Sequence, residues 1–171
     1  MIPGPAASLV VVIGVLLLML VELQLSYFNE RALRARGAVE PPDDPYRLMR
    51  LAYPGAFVAM GLEGATHPAL NRDAVLAGLI LLGFAKLLKF WVMTTLRDRW
   101  TFKVLVPRDA PLVAAGPYRF VNHPNYVAVI LELVAVAVAL SAPLTGLAAV
   151  VLFAWILRRR IGVEDRALGR R

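Results

Sequence analysis

The chain of 171 residues is 59% hydrophobic and has no cysteine, which excludes disulfides, thiolate metal sites and cysteine nucleophiles. A mean hydropathy of +0.65 is too high for an ordinary soluble domain and points to membrane spans, each needing about 20 residues to cross roughly 30 Å of hydrocarbon. The net charge of +7 would suit nucleic acid, but the way the basic residues are distributed excludes that partner.

Taken in chain order, the apolar runs predict an all-α integral membrane protein of about five transmembrane helices, over 6–26, 48–63, 74–96, 124–140 and 143–157. The first run lacks a positive leading region and a small-residue cleavage site, so it reads as a retained helix and not a signal peptide. The segment "NERALRARGAVEPPDDPYR" after it reads as a short amphipathic piece ending at Gly37, then a proline-broken loop. The second run is the weakest, flanked or interrupted by Arg50, Pro54 and Glu63. Arginines cluster after the first run (Arg31, Arg34, Arg36, Arg47, Arg50), with Lys103 in the group after the third (Arg97, Arg99, Arg108, Arg119), and after the fifth (Arg158 to Arg160, Arg166, Arg170, Arg171). Among basic residues the other connections carry only Arg72, so the positive-inside rule predicts an external N-terminus and a cytoplasmic C-terminus. The last two runs are short, with little chain between them. Their alanines and Gly146 predict a close helical hairpin. The whole reads as one membrane domain, 1–73 carrying two spans and a cytoplasmic loop, 74–171 forming a catalytic core.

The densest polar and aromatic chemistry sits at the start of the fourth span, in "GPYRFVNHPNY" at 116–126. Pro124 suits the first helical position, where its missing N–H costs nothing. A helix N-terminus there offers unpaired N–H groups to an anion, Arg119 and His123 add hydrogen bonds or charge, and Tyr118 and Tyr126 offer flat faces. An interfacial belt that only anchors the helix would use similar residues. Lys86 and Lys89 lie inside the third span, on a helical face shared with Arg97 and Trp100. Lys89 is within snorkelling reach of the interface. Lys86 is roughly 15 Å from the helix end, beyond such reach, so it needs a polar cavity or a partner such as Glu63, Glu132 or a carbonyl.

"GPYRFVNHPNY", an apolar hairpin, and then "RRIGVEDRAL" together resemble the isoprenylcysteine carboxyl methyltransferase family of integral membrane enzymes, over about residues 81–168. "RWTFKVLV" at 99–106 and "LEL" at 131–133 look most like the bacterial branch that accompanies type III polyketide synthases, whose members are taken to O-methylate alkylpyrones or alkylresorcinols. The resemblance implies a site for S-adenosylmethionine. His123, Pro124 and Tyr126 would hold the cofactor's amino-acid part and adenine, Gly116, Pro117 and Tyr118 would shape the loop beneath, and Glu164 and Asp165 would be the family's paired acids. Asn122 stands where the family has arginine, and Asp165 where it has a second glutamate.

Methyl transfer from a sulfonium needs no metal and no protein nucleophile; orientation and exclusion of water do much of the work. A phenolic or enolic acceptor needs its oxyanion favoured, for which Lys86, Lys89, Arg158 and Arg159 are candidates, with Glu132 an alternative as proton acceptor. The expected partners are the lipid bilayer, here a bacterial inner membrane, and a lipophilic acceptor: a prenylcysteine carboxylate, an alkylpyrone enol, an alkylresorcinol phenol or a lipid headgroup. The competing readings are an NADPH-dependent membrane reductase of the sterol-reductase type and a non-catalytic membrane scaffold.

Overall fold

A computed structural model describes residues 2–106 and 112–169, so Arg108, Arg170 and Arg171 lie outside the described residues. Five α-helices dominate: α1 Gly4–Ala35, α2 Tyr46–Ala65, α3 Arg72–Leu96, α4 Pro124–Ala139 and α5 Pro143–Ala167. A two-residue antiparallel pairing of β1 (Ile2–Pro3) with β2 (Ala69–Leu70) ties the N-terminus to the connection before α3. The helices α1 and α3 are long and apolar enough to cross a membrane; α4 is as apolar but shorter, at 16 residues.

Two predicted boundaries move. The amphipathic piece after the first apolar run is no separate element: α1 continues without a break to Ala35, 32 residues in all. Good helix formers (Glu30, Arg31, Ala32, Leu33, Arg34, Ala35) fill that stretch, so nothing stops the helix before Arg36. Likewise α5 passes through the arginine run and the paired acids before ending at Ala167. The helical face drawn through Lys86, Lys89, Arg97 and Trp100 does not hold, because α3 ends at Leu96. Arg97 takes a left-handed φ of 53°, and a short 3-10 turn over Arg97–Arg99 redirects the chain before Trp100.

The centre of the bundle is α4, which packs on α3, α5 and α2. Its Ala128, Leu133, Ala135 and Val136 are fully buried. The approach of α3 to α4 is close enough that a Cβ on Gly78 would come within 2.4 Å of the Ala139 nitrogen. Small residues also bring α4 and α5 together, with Gly146 against Ala137. At the end of the bundle bearing the α4–α5 connection, Glu63 accepts hydrogen bonds from the Leu144 and Thr145 amides, satisfying orphan donors of α5. Glu63 is thus occupied far from Lys86. In the same region His67 Nε2 lies 3.1 Å from the Ser141 carbonyl, as a turn contact.

Candidate active site

Proline at the first position of α4 sets the geometry at the opposite end of the bundle. Pro124 starts the helix with His123 as its N-cap residue, and the His123 side chain makes no capping hydrogen bond. The imidazole instead lies flat on Tyr126, ring centroids 5.4 Å apart and planes 9° off parallel. The paired acids at the end of α5 flank the imidazole: Glu164 Oε2 is 3.4 Å from Nδ1 and Asp165 Oδ1 is 3.2 Å from Nε2. Tyr126 donates to Glu164 Oε2 at 2.6 Å and accepts from Arg160 Nε at 3.0 Å. Arg160 also donates to the Phe102 carbonyl and stands 3.8 Å from Asp44. Burial pushes the Glu164 carboxyl up, but hydrogen bonds from His123 and Tyr126 and the charges of His123 and Arg160 outweigh it and hold it below its ordinary value.

Beneath this cluster the 3-10 turn Gly116–Arg119 packs on α3. Gly116 has a φ of 57°, and a Cβ there would come within 2.4 Å of Thr95 Oγ1, so both backbone and space demand glycine. Pro117 is buried in the same turn and Tyr118 faces inward, while Arg119 and Asn122 are exposed.

Two cavities meet here. A polar cleft of about 90 Å³ is bounded by Tyr118, His123, Glu164, Arg99, Lys103 and the 104–106 backbone segment. An apolar cavity of about 370 Å³ lies on the other side, walled by Leu16, Met19, Leu20 and Leu23 of α1 and by Met49, Tyr53 and Pro54 of α2, with Lys89 and Phe102. Trp100, Asn125, Tyr126 and Arg160 line both and form the partition. Trp100, 2% exposed, donates from its indole to Asn125 Oδ1 at 3.4 Å. Helix α1 and the connection after it hold the segment over the cleft in place. Asn29 donates to the Trp100 carbonyl at 2.8 Å, Ser26 Oγ accepts from the Phe102 amide and Asp44 accepts from the Val104 amide. Val39 and Val106 pair as an isolated antiparallel bridge.

Deeper in the bundle the two lysines of α3 are paired. Lys89 contacts Glu132 Oε1 at 2.6 Å and Glu22 Oε2 at 3.1 Å; Lys86 contacts Glu22 Oε1 at 2.7 Å and Glu132 Oε2 at 3.2 Å. Tyr53 adds a hydrogen bond to Glu132 Oε2 at 2.7 Å. Two ammoniums meet two carboxylates, so the layer is neutral overall, the condition under which buried charges are tolerated. Lys89 does not snorkel.

The structure thus brings together Tyr118, His123, Tyr126 and Glu164 around the cleft, with Asp165 behind the imidazole and Pro124 and Gly116 shaping the backbone. Lys89 reaches the apolar cavity. Lys86 and Glu132 sit behind it in the ionic layer and do not line either cavity. Arg158 and Arg159 turn outward, Arg159 over the Trp155 ring; Arg160 occupies the inward position. Sequence reasoning missed Arg160, Asn125, Trp100, Tyr53 and Glu22 as contributors. Arg160 continues the stripe of Ala149, Phe153, Ile156, Leu157 and Val163, which would have separated it from its two neighbours. Glu22 stands out as the only acid in α1's first apolar stretch.

A mostly helical bundle with two helices long and apolar enough to cross a membrane thus carries a polar cleft abutting an apolar cavity. The chain belongs to the isoprenylcysteine carboxyl methyltransferase (ICMT) family, whose pattern matches residues 76–170, more than half of its length. That membership implies a membrane methyltransferase, and the family's members use S-adenosylmethionine as methyl donor. The uncharacterized protein YpbQ of Bacillus subtilis (strain 168) is 26% identical over 147 residues, covering 86% of this chain and 88% of that protein. An uncharacterized protein of Haemophilus influenzae is 27% identical over 147 residues, 85% of this chain and 86% of its own. No solved structure matches the chain.

Proposed function

We propose that the protein is an S-adenosylmethionine-dependent methyltransferase that places the methyl group on an oxygen of a lipophilic acceptor. The observation that carries this reading is the shared partition: Trp100, Asn125, Tyr126 and Arg160 separate a polar cleft from an apolar cavity by one layer of side chains. The donor set of the cleft fits the cofactor. Glu164 suits its ammonium, Arg99 and Lys103 suit its carboxylate, and the faces of Tyr118 and the His123–Tyr126 stack suit its adenine. Gly116 and Pro117 support that wall. When bound, the cofactor supplies an electrophilic methyl on a sulfonium. At about 90 Å³ the cleft encloses only part of such a molecule.

Within this proposal the C-terminal half, 74–171, holds the cofactor, and the first 73 residues supply the acceptor wall and the ties on the segment over the cleft. Five crossings with an external N-terminus put the cleft on the cytoplasmic side, facing the cytosolic cofactor; the arginine clusters support that orientation. Three cations line the apolar cavity: Arg160 and Lys89, both nearly fully buried, and Arg50, which is exposed. Arg160, at the partition, favours an acceptor oxygen that carries negative charge as the methyl arrives. The resemblance to the polyketide-associated branch favours an alkylpyrone enol or alkylresorcinol phenol over a prenylcysteine carboxylate.

Calorimetric binding of S-adenosylhomocysteine to the detergent-solubilised protein tests the reading. Micromolar binding is expected in the wild type and loss of at least tenfold in His123→Ala of matched thermal stability. Failure of folded wild type to bind, in detergent and in nanodiscs, would sink the assignment.

A further inference from the structure

The apolar cavity has a second polar place besides its partition. The level of the partition is marked by Asn29 on α1, which donates to the Trp100 carbonyl, Tyr46 at the start of α2, Leu96 at the end of α3 and Asn125 on α4. Glu22, Tyr53, Lys89 and Glu132 each lie seven residues from these along their own helices. At the helical rise, that places the ionic layer roughly 10 Å beneath the transfer point on all four helices at once.

Of that layer, Lys89 and Tyr53 line the cavity, whereas neither Glu22 nor Glu132 does. A lysine ammonium carries three N–H donors. Two of those on Lys89 are directed to Glu22 and Glu132, neither of which lines the cavity; for the third the described residues supply no further acceptor, only the Tyr53 ring, whose centroid is 5.7 Å from the ammonium. Lys89 lines the cavity and is 3% exposed, so its ammonium is out of bulk water. No acidic side chain among the described residues lines the cavity to receive it. Because the two carboxylates and two ammoniums cancel, the place offers a strong donor without net charge. It therefore suits a neutral hydrogen-bond acceptor and gives no advantage to a second anion.

Resting on the reading of this cavity as the acceptor site, we propose that Lys89 is a specificity-determining residue. It recognises a neutral oxygen, a carbonyl, hydroxyl or ether, carried on the acceptor about 10 Å from the oxygen that is methylated. Glu22, which lies outside the family-matched region, and Glu132 are positioning residues that fix the ammonium and cancel its charge. A plain hydrocarbon tail leaves the third donor unsatisfied and binds less well. The device discriminates among single-chain amphiphiles by where along the tail an oxygen sits.

The test uses no methyl donor. A straight-chain alkylphenol and its keto analogues, with the carbonyl moved one carbon at a time, are titrated into the detergent-solubilised full chain and binding is read by calorimetry. The wild type is expected to bind one analogue about tenfold or more tightly than the parent. The charge-balanced double variant Lys89→Met with Glu22→Gln is expected to bind all of them alike. Equal affinity for parent and every analogue in the wild type overturns the proposal, as does a preference that survives in the double variant. If the double variant does not fold, Lys89→Arg serves: its longer side chain moves the preferred carbonyl position along the chain, and an unmoved preference is again a refutation. Should no alkylphenol bind to wild type that does bind S-adenosylhomocysteine, the acceptor cavity and this inference fall while the cofactor assignment stands. Selective alkylphenol binding without S-adenosylhomocysteine binding leaves this site standing and removes the methyltransferase reading.

Discussion

Removing Glu132 probes the bundle where its charges are buried deepest. The carboxylate is fully buried and receives Lys89, Lys86 and Tyr53 at 2.6, 3.2 and 2.7 Å. At an effective dielectric of about 20, the 2.6 Å contact with Lys89 alone represents about 6 kcal/mol of attraction before desolvation is subtracted. Glu132→Met keeps the volume and leaves two ammoniums facing Glu22 only. The expected cost is about 3–5 kcal/mol, because an uncompensated buried charge remains. For a chain of this size that is a fall of about 6–20 °C in thermal midpoint. Lys89→Met alone should cost a similar amount, with the opposite net charge left behind.

The double variant Glu132→Met with Lys89→Met restores neutrality, leaving Lys86 on Glu22 at 2.7 Å and only the Tyr53 hydroxyl without its acceptor. Its cost is expected at about 1–3 kcal/mol, less than either single change. Thermal unfolding in one mild detergent, followed by tryptophan fluorescence for all four proteins, completes the cycle. Additivity of the two single changes to within about 0.5 kcal/mol, or a Glu132→Met cost below about 1 kcal/mol, would refute the view that this layer works as a compensated unit.

Two further outcomes follow from the packing and the cleft. Gly78→Leu forces α3 away from the Ala139 backbone, which cannot yield as a side chain would, so a loss of about 1–3 kcal/mol or more is expected in the same unfolding assay, against almost none for Gly83→Leu, whose Cβ would meet open space. Glu164 is held below its ordinary value of 4.5, so its stabilisation is complete above pH 4.5 and is lost as pH falls through the folded-state value. Thermal midpoints measured on both sides of that window should fall with acid in the wild type, and Glu164→Gln should remove that part of the slope; an unchanged slope would contradict the assignment of Glu164 as the ionised partner of Tyr126.

Much of the architecture was legible because it is local. Helix α4 begins where Pro124 permits and α1 and α3 form because long apolar runs leave no other way to satisfy their backbone in a membrane. The cluster of Tyr118, His123, Tyr126, Glu164 and Asp165 was nominated from motif residues near two helix ends, and folding the α4–α5 hairpin brings those ends together. Boundaries were less legible where strong helix formers continue past an apolar run, as in α1 after Ser26 and α5 after Leu157.

Pairings across the bundle belong to the tertiary structure. From the sequence the candidate partners of Lys86 are Glu63, Glu132 or a carbonyl, nothing local ranks them, and Glu22 is not among them. Helix rotation and the packing of α3 on α4 and of α1 on α2 select Glu22 and Glu132 and leave Glu63 to the start of α5. Arg158, Arg159 and Arg160 are chemically identical neighbours, yet successive residues point about 100° apart around the helix, so packing admits one to the partition and leaves two outside. Composition and motif spacing determine which chemistry the chain contains. Which atoms face one another across the cavity depends on the phase of each helix once the whole bundle has closed, because that phase is set by contacts between residues as far apart as Glu22 and Glu132.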